Sequence, residues 1–197
     1  SKCLDGRLSH CSGYRFLKSR FMNTYICLLR GINVGGHKKI KMADLKTLFT
    51  SLRYNDVVTY IQSGNIIFKS HEKSIDEITA VIKKAIVDAF GFEVPVFVFT
   101  RKMLTQVYEN YVLSPEYIAS SYFALLHTVP SPEDIALVNN LELPNEHFIA
   151  TENCVYIYPE KGYGKAKATN TFFEKKLNVV ATTRNYKTIV KLLELSS

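Results

Sequence analysis

The 197-residue chain is predicted to be an α+β protein built from two ferredoxin-like subdomains, each β-α-β-β-α-β, packed together and followed by a C-terminal helix. Three observations predict this. Apolar residues switch between strand-like runs and helical spacing in the same order twice along the chain. In each half a tight turn, QSG at 62–64 and Glu152-Asn153 later, joins the middle two strands. The boundaries near Thr100 and Leu113 are short, which favours close packing over a free linker. The halves share no visible identity, so the repeat is one of pattern.

The apolar run YICLLRG, ending at Gly31, reads as a buried strand, and MADLKTLFTSL places Leu45, Leu48, Phe49 and Leu52 on one helical face. VVTYI and NIIFK flank the turn as a hairpin in which Gly64 supplies a positive φ. SIDEITAVIKKAIVDAFG opens with a serine cap and a glutamate three residues on, keeps isoleucines and alanines at helical spacing and stops at Gly91. VPVFVFT closes the unit. After a helix over 102–111 and a loop through Pro115, the order recurs. SYFALLH is a strand, SPEDIALVNNL a helix, HFIAT and CVYIY strands, KATNTFFEKKL a helix and VVATT a strand, with YKTIVKLLEL as the last helix. The expected organisation is a first subdomain over 22–100 and a second over 101–197 with the linking and C-terminal helices. Residues 1–21 have neither periodicity nor alternation and read as a non-native or disordered tail ahead of Met22, with a targeting peptide as the alternative.

The formal charge of +7 overstates the basic character, because the tail carries five basic residues and one acid. Its distribution is more informative. Residues 30–41 hold four basic residues and no acid, and residues 161–191 hold eight against Glu174 alone, whereas 101–160 has two basic residues and eight acids. Two separated positive segments point to an anionic partner, solvated lysines being the plain alternative. No apolar run approaches the roughly 20 residues a membrane helix needs. Of the four cysteines, Cys3 and Cys11 lie in the tail and Cys27 and Cys154 in apolar runs, with no C-x-x-C spacing, so inert thiols in a reducing cytoplasm are expected and no metal or cofactor.

Topology brings the candidate residues together. In a split βαβ sheet the exit of the first strand and the middle hairpin share one edge, so Arg30, Gly31, Asn33, Gly35, Gly36, Lys38 and Lys39 should meet Gln62, Ser63 and Asn65. In the second unit the loop carrying Gly162, Gly164, Lys165 and Lys167 should face Arg184 and Asn185 at the end of the last strand. A glycine-rich bend with lysines can cradle phosphate through successive amides at a helix start. GINVGGHKKIKM matches neither of the established phosphate-loop patterns, and its alternative is a structural bend. Lys165 and Lys167, at or just before a helix start, oppose the macrodipole, which a bound anion could offset; the alternatives are an internal acid such as Glu160 or Glu174, or simple solvation. Arg184 could hold a carboxylate or phosphate at two points or satisfy loop carbonyls between subdomains.

At these residues the chain resembles a large bacterial family of unknown function, whose members carry an LLRGINVGG loop, a TYIQSGN hairpin, a YP-G-GYG segment and a terminal TxRN turn. Here these stand at 28–36, 59–65, 158–167 and 182–188. The resemblance spans essentially residues 22–195 and implies two ferredoxin-like subdomains and a bacterial cytoplasmic setting; it implies no activity. The family commonly has Ser-Lys-Leu where this chain has Ala166-Lys167-Ala168, and Trp where it has Tyr186.

No catalytic constellation is recognisable: none of His37, His71, His127 and His147 has an acid or nucleophile at motif spacing, and Ser63 beside Asn65 has no base placed by sequence. The expected function is binding of a small phosphate- or carboxylate-bearing molecule through the glycine-rich basic loops. The alternatives are a single-stranded RNA or other nucleic-acid module, which shares this topology but would need base-stacking aromatics, or a protein-interaction module using the acidic middle segment. No membrane partner is expected.

Overall fold

A computed structural model of the protein describes residues 21–72 and 74–197; the tail expected over 1–21, with Cys3 and Cys11, lies almost wholly outside the described residues. The first unit runs β1 (Asn23–Leu29), α1 (Met42–Ser51), β2 (Asn55–Tyr60), β3 (Asn65–Ser70), α2 (Ile75–Phe90) and β4 (Val96–Thr100). After α3 (Arg101–Glu109) and a 3-10 helix (Pro115–Ser120), the second runs β5 (Tyr122–Leu126), α4 (Pro132–Asn139), β6 (Glu146–Ala150), β7 (Cys154–Pro159), α5 (Asn170–Leu177) and β8 (Ala181–Asn185), and α6 (Tyr186–Leu195) follows. Both sheets are antiparallel with four strands, ordered β2-β3-β1-β4 and β6-β7-β5-β8. These are two ferredoxin-like units with a C-terminal helix, in the order the periodicity predicts.

Local chemistry sets most boundaries. Ser74 accepts from the Glu77 amide to start α2, and Gly91 at φ +78 ends it. The start of α5 falls at Asn170, three residues after the expected Lys167, because Thr169 caps it and the Lys167 and Ala168 amides turn to the Glu146 carboxylate instead. The last strand starts at Ala181 rather than Val179, because the Val179 amide still closes α5 on the Glu174 carbonyl and Asn178 caps it at φ +52. Beyond the loop expected through Pro115, residues 115–120 form the 3-10 helix; the Ser121 hydroxyl ties down its end by donating to the Tyr117 carbonyl.

Strand alternation divides the interior into three cores. Tyr25, Cys27 and Leu29 of β1 face α1 and α2, with Phe49, Phe68 and Ile82. Ala124, Val155 and Ala181 of the second sheet face α4 and α5, with Phe173 and Leu177. The third core is shared: Ile26, Leu28 and Phe97 from one sheet meet Phe123, Leu125 and Tyr156 from the other, with Leu104 of α3 and Ile189 and Leu192 of α6 packed in. Each such side chain, fully buried, stabilises by about 1.5–3 kcal/mol relative to exposure, so parting the units would forfeit more than a typical domain's whole stability. Cys27 and Cys154 are free and buried, and burial pushes both thiols up and away from reactivity. Among the described residues no helix is long and apolar enough to cross a membrane.

Candidate functional site

The first loop pair meets as its topology requires. The Leu29 amide donates to the Gly64 carbonyl at 2.8 Å, and Asn33, at φ +55, stitches the loop to the hairpin. Its Nδ2 donates to the carbonyls of Ile40 and Gln62, both at 2.9 Å, while its Oδ1 accepts from the Ile40 amide. Gly64 must be glycine: at φ +76 an added Cβ would stand 2.7 Å from Leu29 Cβ and 2.9 Å from Ile32 Cδ1. Gly31, Gly35 and Gly36 also take positive φ, Gly31 and Gly36 in open space and Gly35 with His37 Cδ2 3.9 Å from where a Cβ would stand. Ser63 Oγ accepts from Asn65 Nδ2, so the hydroxyl completes a turn. Asn33, Ser63 and Asn65 are thus committed to the fold. Arg30 is committed as well, forming an ion pair with Glu174 of the other unit.

The second loop pair does not form as expected. The sequence places Arg184 opposite Gly162, Gly164, Lys165 and Lys167, but its side chain leaves from the other face of β8. Ala181 and Thr183 point to α5, where Thr183 Oγ1 donates to Asn170 Oδ1, so two-residue alternation sends Thr182 and Arg184 to the inner face. There all five guanidinium N–H groups are used. Nε donates to Asn65 Oδ1 at 2.7 Å; Nη1 donates to Thr182 Oγ1 and the Thr183 carbonyl, both at 2.9 Å; Nη2 donates to the carbonyls of Leu29 and Ser63 at 2.7 and 3.2 Å. No donor remains for a ligand. Burial pushes the guanidinium pKa down to about 10, opposed slightly by Cys27, which leaves it charged at neutral pH. Asn185 caps α6 by accepting from the Thr188 amide.

An internal carboxylate meets this loop through its backbone amides, not through the ammonium groups of Lys165 and Lys167, which form no ion pair among the described residues, and it is neither Glu160 nor Glu174. Glu146, at the start of β6, accepts from the amides of Lys167 and Ala168, both at 2.7 Å, one through each carboxylate oxygen. Lys161, Lys165 and Lys167 line the same depression of about 220 Å³. Glu160 pairs with His147 at 2.9 Å, and Glu174 accepts from the Ala181 amide as well as from Arg30.

What remains open lies in front of α1. Ser74, Thr100, Ser131, Thr169 and Asn185 cap the other five α-helices through their side chains, but Lys41 at the N-cap of α1 makes no cap hydrogen bond. A concavity of about 550 Å³ opens there, lined by Asn33, Gly36, Lys39, Lys41, Asp44 and Gln62, with Ile40 and Phe90 as apolar wall. Among the described residues the Gly35 and Gly36 amides donate to no protein acceptor, and the ammonium groups of Lys39 and Lys41 have no partner. Lys41, Asp44 and Phe90 were not singled out by the sequence, although a lysine at the position where Ser, Thr or Asp would cap was the available signal. Among the described residues no group of His, Cys, Asp and Glu could hold a metal ion.

The geometry defines an α+β protein of two ferredoxin-like units locked by a buried arginine, with one basic loop whose amides meet no carboxylate among the described residues. The chain belongs to the family described as "Protein of unknown function (DUF1697)", whose profile matches residues 22–156. It is also similar to a solved structure described as that of conserved bacterial protein SP0830 from Streptococcus pneumoniae, at 26% identity and a TM-score of 0.70, covering 90% of this chain and 100% of that one. No curated protein matches. Neither description assigns a function.

Proposed function

We propose that the protein binds a small phosphate- or carboxylate-bearing molecule in the concavity before α1, in the cytoplasm. The observation that carries this reading is the uncapped start of α1 facing Lys39 and Lys41. Four N–H groups open each helix without an intrahelical partner, and the macrodipole adds about half a positive charge there. Two lysines beside that end raise the local potential, with Asp44 as the one acid lining the concavity among the described residues. An anion would compensate all three at once, and the volume lies within the roughly 300–1,000 Å³ of small-molecule sites. The single-stranded RNA alternative has less to stand on, since β1 and β3 are buried on both faces and offer bases no open sheet to stack on.

The test is a thermal-shift panel of inorganic phosphate, sugar phosphates, mononucleotides and dicarboxylates against the wild type and Lys39→Glu/Lys41→Glu. A ligand at 100 times its Kd stabilises by about 2.7 kcal/mol, and the double variant should lose that gain. No shift with any anion, or the same shift in the variant, would remove the reading.

A further inference from the structure

A second concavity lies on the other side of the same loop. Consecutive lysines diverge: Lys39 lines the space before α1, while Lys38, held at φ +46, lines a cleft of about 720 Å³. α2 and β4 form one wall of this cleft; His127, just after β5, and Val180, just before β8, form the other, so each subdomain contributes a side. Its lining is apolar through Val94, Val96, Phe97 and Val180, and the His127 ring stands edge-on to Phe97 at 5.8 Å.

Three cations line it, in three different situations. Lys84 is neutralised by Asp88 at 2.6 Å. Lys38 donates to the Glu93 carbonyl at 2.7 Å, a neutral partner that leaves its charge uncompensated and two N–H groups unused. Lys83 has no partner among the described residues, and Glu93 is the one lining carboxylate not in an ion pair.

We propose that this cleft binds an amphipathic small organic anion: an aromatic or aliphatic body lying against Phe97 and Val180, with one carboxylate, phosphate or sulfonate reaching Lys83 and Lys38. Each half of that chemistry is needed. A purely apolar occupant would take water from two ammonium groups without pairing them, which is costly. Inorganic phosphate would leave the apolar floor unused. This site is separate from the one before α1 and shares only the loop that divides them.

The experiment compares 8-anilinonaphthalene-1-sulfonate with N-phenyl-1-naphthylamine, the same aromatic body without the charge, by fluorescence titration of the full chain. The sulfonate should saturate at one site per chain. Lys83→Glu should weaken it at least tenfold relative to Lys102→Glu, an equal charge change on α3, while the neutral dye is unaffected. Lys39→Glu/Lys41→Glu should leave the sulfonate's affinity within twofold, which separates this site from the one before α1. Amide shifts in NMR should cluster at Phe97, His127 and Val180. Absence of saturable binding, equal loss of both dyes, no difference between Lys83→Glu and Lys102→Glu, or shifts confined to other surfaces would each overturn the proposal. Lys83 is exposed on α2, and unchanged circular dichroism would show that its variant folds.

Discussion

The two glycine-bearing loops sit at different places in two copies of one topology, one between β1 and α1 and the other between β7 and α5, and they differ in whether a carboxylate of the chain meets their amides. In the second unit, Glu146 reaches across from β6 and accepts from two successive amides beside three lysines. In the first, the loop before α1 has amides, two lysines and a helix start without a side-chain cap; Asp44 lies in the first turn of α1, but among the described residues no carboxylate accepts from those amides. A loop built to hold an anion can therefore draw that anion from its own chain. A basic glycine-rich segment becomes evidence for a ligand only after the internal acids have been assigned.

The largest expected effect breaks the link between the two regions. Arg184→Ala removes five hydrogen bonds and strands Asn65 and the Leu29 and Ser63 carbonyls, for a loss of roughly 3 kcal/mol or more. That is a fall of about 6–12 °C in Tm for a chain of this size, read by circular dichroism. Arg184→Lys should lose an intermediate amount, because an ammonium cannot reproduce the planar fork. An unchanged Tm in both would show that the units do not depend on this bridge.

The glycines sharpen the comparison next. Gly64→Ala should destabilise by about 2–4 kcal/mol, since strained φ adds to a backbone-proximal clash. Gly162→Ala, with open space around it and strain alone at φ +83 and ψ 150, should lose about 1–3 kcal/mol without the added clash. Urea denaturation of the two variants measures the difference.

Removing the internal anion should make the second loop behave like the first. Glu146→Ala leaves the Lys167 and Ala168 amides unmet and should lower stability by about 1–2 kcal/mol. Acetate or formate at high concentration should restore part of the loss in the variant and none in the wild type. If added carboxylate rescues nothing, the second loop's amides are not an anion site.

The smallest effect is expected at the first loop: Lys39→Ala and Lys41→Ala should change stability by less than about 0.5 kcal/mol, as exposed side chains with no partner do. A larger loss would mean that these lysines support the fold.

Features set by neighbours in sequence were legible before the structure. The Ser74 cap with Glu77, the stop at Gly91 and α6 over residues 186–195 are all written within a few positions of where they act. The junction of the first loop with the QSGN turn followed from topology alone. The role of Glu146 was hidden because its partners are backbone amides 21 and 22 residues away, and an amide leaves no mark in sequence. Arg184 was aimed at the wrong loop although the alternation Ala181, Thr182, Thr183, Arg184 already put it on the face opposite α5. Three of its five acceptors, 119 to 155 residues distant, belong to the other unit.

The shared core has a consequence for how the protein is made. Ile26, Leu28, Ile67 and Phe97 are synthesised early, but Ile189 and Leu192, which help cover them, lie on the final helix. The first unit can assemble its outer core with α1 and α2 as soon as β4 emerges, while part of its inner face stays apolar and uncovered until α6 has been made. At roughly 5–20 residues per second, the interval from β4 to α6 lasts about 5–20 s. During that time the nascent chain presents a sticky half-domain to chaperones, and a stop codon placed before Tyr186 would make that condition permanent.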